Sequence, residues 1–237
     1  MNPNKIAILV DSCTDVPEEY LQQHGIYSVP ITIIYQDREY KDKIDITAQE
    51  VYDRLEIEVP RTSLPDSESV RQAMHQIRQD GFNNVLVAAG DSFDEVERKV
   101  RQSLENSNIY FCLSTLEYLA RGGRIGKVSA VLGSLLKIKP IITCNEEGAY
   151  AIAAKVRGRA QAIAETINLA VNAAKKHVAC TVAVVHGNAR EEAAHVMNEV
   201  KRLIPNSKVF YEGTVSPALV VHTGPGLIGI NVQALPA

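Results

Sequence analysis

The segment KIAILVDSCTD, residues Lys5–Asp15, decides the fold class. Its first part, Lys5–Val10, is uniformly apolar after the lysine, which is typical of a parallel strand covered on both faces. Ligands of open parallel sheets bind beyond the carboxyl ends of the strands, so the polar loop Asp11–Asp15 is well placed for binding. Alternatively, Asp11 or Thr14 closes a turn or caps a helix that begins at Pro17.

Short apolar runs alternate with helical patterns along the rest of the chain, which indicates an α/β protein. Helices are predicted for Pro17–His24, Ser67–Asp80 and Arg159–Lys176, and capping-box spacing predicts helix starts at Thr47, Ser92 and Asn188. The predicted strands after the first are Ile31–Tyr35, Asn84–Ala88, Ile109–Leu113, Pro140–Cys144, Tyr150–Val156, Thr181–His186, Lys208–Glu212, Val215–Val221 and Leu227–Gln233. A polar break near Asn106–Asn108 divides the chain into domains of residues 1–107 and 108–237.

Composition limits the function. The net charge is −3 and the basic residues are scattered, which argues against nucleic acid as a partner. The four cysteines form no C-x-x-C pair and the six histidines are dispersed, so we expect reduced thiols and no metal site. The apolar stretch before Asp11 has only five residues, which is shorter than the core of a signal peptide, and no run approaches the about 18 apolar residues of a membrane span. We therefore expect a cytoplasmic monomer that is not an integral membrane protein.

The loop Pro60–Ser67 is a first candidate site. Its two prolines hold it extended, because each restricts itself and the residue before it. The adjacent hydroxyls of Thr62 and Ser63 can donate hydrogen bonds to an anionic oxygen without carrying charge. Asp66 or Ser67 is also expected to cap the next helix, a role that does not use Thr62.

The corner Leu119–Gly126 is a second candidate site. Gly122 and Gly123 permit a sharp turn, and Arg121 and Arg124 can bind a phosphate or a carboxylate. The spacing matches neither a P-loop nor a dinucleotide fingerprint. A helix–turn–helix corner whose arginines face solvent is the alternative.

The segment His222–Gly226 is a third candidate, because loops at strand ends often carry sites. A neutral imidazole can donate one hydrogen bond to a carboxylate. No nucleophile–base pair emerges from the spacing, and Gly-x-Ser-x-Gly is absent. We therefore expect polar anchors and apolar walls, with no catalytic residue and no cofactor.

Together these segments resemble the DegV family of bacterial fatty-acid-binding proteins. Asp11–Asp15 looks like the family's Asp-Ser-x-x-Asp loop, and Thr62–Pro65 is similar to its Thr-Ser-x-Pro loop. Leu116–Ile125 closely resembles its Leu-x-x-Leu-x-x-Gly-Gly-Arg-Ile signature. Lys155–Gly158 and His222–Gly226 match two further segments, and the shared order covers nearly the whole chain.

The resemblance implies a two-domain α/β fold with a parallel sheet in the N-terminal domain and a mixed sheet in the C-terminal domain. It also implies a long-chain fatty acid as ligand, whose carboxylate lies between the domains on Thr62, Ser63 and His222. The carrier itself catalyses nothing and delivers the acid to a partner fatty acid kinase. The residues that would line the cleft are Asp11, Ser12, Thr14, Gly224 and Gly226. We expect Arg124 and Arg157 to contact the kinase or a phosphorylated head group, with surface ion pairs as the alternative. The expected apolar wall residues are Val131, Leu132, Leu135, Leu136 and Ile138.

One departure from the family concerns its Ser-Ser-x-x-Ser-Gly-Thr segment, whose serine is a second head-group ligand. Here the strand that ends at Ala88 runs into residues 89–95, which resemble a helix start farther along the family pattern. A unit of roughly 30 residues or more is absent, the size of a βαβ element. Either a sheet layer is missing, or a further segment belongs between residues 89 and 90. We expect the second, because the first would expose strand edges.

Two other functions stay open. An enzyme could act on a phosphorylated or nucleotide substrate through the Arg-Gly-Gly-Arg corner, which predicts a turnover that Arg124→Ala abolishes. A regulatory or adaptor domain with a vestigial cleft is the third possibility. The carrier hypothesis instead predicts a co-purifying fatty acid and no turnover.

Overall fold

The computed structural model describes residues 6–14, 16–82, 84–85, 106–126, 128, 138–145 and 148–235. The strands are β1 (Ile6–Asp11), β2 (Ile26–Val29), β3 (Thr32–Ile34), β4 (Glu39–Lys41), β5 (Arg61–Ser63), β6 (Asn84–Val85), β7 (Ser107–Cys112), β8 (Ile138–Cys144), β9 (Tyr150–Arg157), β10 (Cys180–Gly187), β11 (Ser207–Thr214) and β12 (Leu227–Ala234). The α-helices are α1 (Glu18–His24), α2 (Ala48–Arg54), α3 (Ser67–Gln79), α4 (Glu117–Arg121), α5 (Arg159–Ala174), α6 (Arg190–Leu203) and α7 (Pro217–Thr223). This α/β composition confirms the predicted fold class.

The chain divides into two compact units. The first comprises Met1–Gln102 and Ser216–Leu219, and the second comprises Ser103–Val215 and Val220–Ala237. The first unit therefore includes four residues from near the end of the chain, which the division into residues 1–107 and 108–237 does not assign to it. That division stays a proposal.

The first unit contains the predicted parallel sheet, with the strand order β2-β1-β6. It also contains an antiparallel sheet in the order β4-β3-β5, of which only β3 was predicted. The strands β4 and β5 have three residues each and carry charged or hydroxyl side chains, so they show no apolar run.

The second unit contains a mixed six-stranded sheet in the order β11-β10-β12-β7-β8-β9. β10 and β11 are parallel, and the other neighbouring pairs are antiparallel. α5 and α6 pack against one face, where alternate residues such as Val182, Ile230 and Cys112 are fully buried. This face forms the main core of the unit.

The opposite face of this sheet is also apolar. Strand alternation directs Phe111 and Val185 to it. Gly229 lies between them, because a Cβ there would be 3.0 Å from Val185 and 3.6 Å from Phe111. Ile142 pairs with Phe111, and the Tyr150 ring meets the Phe111 ring edge-on at a centroid distance of 5.4 Å. A second apolar face of the sheet, with Phe111 and Ile142 buried, thus begins near the end of the sheet where β12 starts.

The predicted local helix signals are largely confirmed. α1 ends at His24 and is capped by Gly25 in the left-handed conformation, with a φ of 61°. Thr47 and Glu50 form the predicted capping box of α2. Asp66 caps α3, because its carboxylate accepts a hydrogen bond from the backbone N–H of Ser69.

Two local predictions were wrong. α6 begins at Arg190 without a side-chain cap, because Asn188 has a φ of +49° and stands two residues before the helix. The valine-rich run Val215–Val221 was predicted as a strand, but most of it lies in the helix α7. Two residues favour this helix start. Pro217 occupies the first helical turn, where proline is tolerated, and the hydroxyl of Ser216 accepts a hydrogen bond from the N–H of Leu219.

Candidate functional site

The loop after β1 folds onto itself. The carboxylate of Asp11 accepts from the N–H of Cys13 at 2.9 Å, and the hydroxyl of Thr14 donates to the carbonyl of Asp11 at 2.9 Å. The buried hydroxyl of Ser12 donates to the carboxylate of Asp42 at 2.5 Å and accepts from the N–H of Ile31. These contacts fit the turn-closing alternative, and a cleft-lining role for the loop stays a prediction.

Thr62 and Ser63 lie on β5, directly before the loop that leads to α3. β5 pairs with β3, so that Thr62 stands opposite Ile33 and its position is fixed by backbone hydrogen bonds. Thr62 is half-buried and Ser63 is exposed, with the Ser63 hydroxyl donating to the carbonyl of Leu64 at 3.2 Å. The two neighbouring hydroxyls are therefore held at an ordered strand end of the first unit.

His222 lies on α7 and is buried, with 8% of its surface exposed. Its imidazole packs against Gly122 so closely that a Cβ at position 122 would overlap Nδ1. Burial, and then the positive charge of Arg124, lowers the pKa of His222 from 6.5 to about 4. The imidazole is therefore neutral at physiological pH and can donate one hydrogen bond.

Gly224 and Gly226 shape the turn that follows His222. Their φ values are +63° and +86°, a region that favours glycine. A Cβ at Gly224 would overlap the Tyr118 ring, and one at Gly226 would overlap the hydroxyl of Ser114. The turn after His222 thus packs against the chain around α4, although about a hundred residues separate the two segments in the sequence.

The arginines of the corner make local contacts. Arg121 pairs with Glu117 one turn earlier on α4, and Arg124 Nη1 donates to the carbonyl of Gly122 at 3.1 Å. Both side chains are exposed, as in the solvent-facing alternative. Arg157 is exposed at the end of β9, opposite Ile138 on β8. Contacts of Arg124 and Arg157 with a partner or phosphate stay predictions.

A groove of about 750 Å³ lies between α5 and α6, and none of the predicted ligand residues lines it. Ile163, Ile167 and Val171 form its floor. Arg159 and Glu192 pair at one end at 2.6 Å, and the Arg159 hydrogen bond lowers the pKa of Glu192. The sequence showed these residues only as the periodic face of a helix, so the groove was not predicted.

Several predictions concern residues outside the described ranges. They are the wall residues Val131, Leu132, Leu135 and Leu136, the helix start at Ser92, and the junction of residues 89 and 90. Ile138, the remaining wall residue, begins β8 and is half-buried. Within the described parts of the chain, no helix has the length and apolarity to cross a membrane, and no cluster of three or more His, Cys, Asp or Glu side chains could hold a metal ion.

The fold and these segments define a two-unit α/β protein with its predicted ligand residues at strand and helix ends. The sequence profile described as "Uncharacterised protein, DegV family" matches residues 5–89 and 84–235. The chain therefore belongs to the DegV family, which confirms the resemblance.

Curated relatives support this assignment. Two DegV domain-containing proteins of Clostridium acetobutylicum are 34% and 32% identical to the chain, covering 96% and 95% of it and 98% of each relative. Protein DegV of Bacillus subtilis is 24% identical, with 95% of the chain and 98% of the relative covered.

Solved structures share the fold. DegV of Bacillus subtilis, described as a fatty acid binding protein, has a TM-score of 0.82 at 23% identity, covering 97% of this chain and 99% of that one. A DegV family protein from Thermus thermophilus, described by its fatty acid binding, has a TM-score of 0.85 at 22% identity, with 98% and 100% covered. A stearic acid-binding protein from Eubacterium ventriosum has a TM-score of 0.85 at 24% identity, with 97% and 98% covered.

The same comparisons locate the departure from the family. The two profile matches meet at residues 84–89, and the alignment with one relative runs over 275 residues although the chain has 237. Tens of residues of that relative thus have no counterpart here. A further segment between residues 89 and 90 stays a prediction.

Proposed function

We propose that this protein binds one long-chain fatty acid and carries it without chemical change. The observation that carries the proposal is the position of His222. Its buried, neutral imidazole lies beside the turn of Gly224 and Gly226, at the end of the sheet where the apolar face of Phe111 begins. A single hydrogen-bond donor at the end of an apolar sheet face suits a ligand with one carboxylate and an acyl chain.

The three proposed carboxylate ligands are Thr62, Ser63 and His222. All three are neutral donors, so they can hold the carboxylate without the strong attraction of a fixed positive charge. A hydrogen bond to a charged group contributes about 1.5–3 kcal/mol, which fixes the orientation of the ligand.

The acyl chain would supply most of the affinity. A saturated chain of about 16 carbons gains roughly 0.8 kcal/mol per buried CH₂, or over about 10 kcal/mol before the costs of association. We place the chain along the apolar sheet face that carries Phe111, Ile142 and Val185. Fatty acid binding by the related structures supports this ligand class.

The resemblance to the family further suggests that a fatty acid kinase receives the bound acid, and we place the exposed side chains of Arg124 and Arg157 at the contact. Mixing the loaded protein with a bacterial fatty acid kinase and ATP tests this step. We expect acyl phosphate only when both proteins are present. Formation of acyl phosphate by the carrier alone would instead support an enzyme.

The enzyme alternative finds less support in the corner geometry. Arg121 is paired with Glu117, and Arg124 donates to its own loop at Gly122. A phosphate site built on this corner would have to break these contacts. We therefore retain the carrier as the proposed function.

Denaturing the purified protein and extracting it for mass spectrometry tests the proposal. We expect one equivalent of a long-chain fatty acid from the unmodified protein and less from Thr62→Val, Ser63→Ala and His222→Asn. Ser28→Ala is a matched control for Ser63→Ala, because both serines are exposed on strands of the first unit. The proposal fails if no fatty acid is extracted and none binds when hexadecanoic acid is added.

A further inference from the structure

Glycine is present at positions 122 and 123 for two different structural reasons. Gly123 has a φ of +67°, and no atom lies within 4 Å of the place that its Cβ would take, so the backbone turn alone favours glycine there. Gly122 has a φ of −78°, which any residue adopts. Backbone conformation therefore does not explain the glycine at position 122.

The His222 ring does explain it. A Cβ at Gly122 would overlap Nδ1 of His222 and would lie 3.0 Å from its Cε1. Nδ1 is buried on this side. The imidazole thus occupies the space that a side chain at position 122 would take.

The chain that leaves His222 is held by a second close approach. The N–H of Gly224 donates to the carbonyl of Val220 at 2.8 Å, which ends α7. The Cα of Gly224 also packs against the ring of Tyr118, a residue of the same helix α4 that leads to Gly122. Helix α4 and its corner therefore contact the histidine segment at two points.

We propose that Gly122 is a positioning residue for the fatty-acid carboxylate: the absence of a side chain seats His222 with Nδ1 toward Gly122 and directs Nε2 to the ligand. This inference rests on the proposed function for the identity of the ligand. Donation through Nε2 requires the neutral ring to carry its proton on that nitrogen. Within the pair, Gly123 thus permits the backbone turn, and Gly122 positions His222 for the ligand.

Gly122→Ala tests this directly, with Gly123→Asn as the matched control because asparagine tolerates the left-handed conformation and its Cβ touches no neighbour there. We expect Gly122→Ala to shift the ¹⁵N resonances of His222 and to lower the affinity for hexadecanoic acid by about tenfold or more, as the loss of one charge-assisted hydrogen bond would. Gly123→Asn should preserve both. Unchanged resonances and affinity in Gly122→Ala would overturn the proposal.

A double-mutant cycle covers the case in which Gly122→Ala folds poorly. His222→Asn shortens the side chain, so adding Gly122→Ala to it should lower the urea midpoint less than Gly122→Ala lowers it alone. An equal loss in both backgrounds would show that the imidazole is not the reason for the glycine. The resonances and the cycle need no ligand, so a protein that binds no fatty acid would refute the proposed function without refuting the seating of His222.

Discussion

The buried carboxylate of Asp42 accepts a hydrogen bond from the backbone N–H of Ala218 at 3.2 Å, across 176 positions of the chain. The same carboxylate accepts from the hydroxyl of Ser12 at 2.5 Å. Both contacts lie in the first unit, which includes Ser216–Leu219. Asp42 therefore joins the loop after β1 to the start of the helix that carries His222.

Replacing Asp42 by asparagine should destabilise the protein. One of the two accepting oxygens becomes an NH₂ group, which cannot accept from Ser12 or Ala218, and a buried donor without its partner costs about 1–3 kcal/mol. We expect a lower urea midpoint for Asp42→Asn. Asp53→Asn is the control, because Asp53 is exposed and accepts from Gln49 on the same helix. Equal midpoints for the two variants would contradict the assigned role of Asp42.

Gly224→Ala should lower the free energy of unfolding by more than the left-handed backbone conformation alone explains. Gly148 has a similar φ, +73° against +63°, but open space around it, so Gly148→Ala measures the backbone cost of about 1–2 kcal/mol. Gly224→Ala adds a clash with Tyr118. Urea unfolding of both variants should show the larger loss for Gly224→Ala, and equal losses would argue against close packing at this turn.

His222 should make the protein less stable in mild acid. Its pKa falls from 6.5 in the unfolded chain to about 4 in the fold, chiefly through burial. The unfolded state then binds the proton first, so the stability is fully present above pH 6.5 and is lost as the pH falls toward 4, by up to roughly 3 kcal/mol. Urea midpoints across this range should fall less steeply for His222→Asn, and parallel profiles would rule out a buried neutral imidazole.

The positive charge of Arg124 should contribute to the low pKa of His222, as the second cause after burial. Removing its positive charge with Arg124→Gln should raise the pKa of His222 while leaving it below 6.5, because burial persists. An NMR titration of the histidine Cε1–H measures this. Arg121→Gln is the control, since Arg121 is also exposed and pairs with Glu117. The electrostatic assignment is wrong if Arg124→Gln leaves the titration unchanged.

Signals that act within a few residues were predictable from the sequence. Thr47 with Glu50 and Asp66 with Ser69 are local caps, and their helices begin where predicted. The same reasoning failed at Val215–Val221, because β-branched residues favour strands while Pro217, Ser216 and the distant Asp42 stabilise a helix start.

The sequence allowed the residues of the candidate site to be predicted, but not their arrangement in space. The segment between Pro60 and Pro65, which was predicted as a loop, marked Thr62 as a candidate, and the Gly-Pro-Gly turn marked His222. The contact between His222 and Gly122 joins two segments about a hundred residues apart, and a single sequence carries no signal for such a pairing. Glycine is needed at position 122 because the imidazole of a distant residue lies beside it, which no local sequence pattern indicates.

Binding of a fatty acid, with its carboxylate held by His222, is tested most directly by ¹³C NMR of carboxyl-labelled hexadecanoic acid added to the delipidated protein. We predict one bound carboxyl resonance at one equivalent, which shifts in His222→Asn and stays in place in the Ser28→Ala control. A spectrum that contains only free acid, or a bound resonance that His222→Asn does not move, would contradict this assignment.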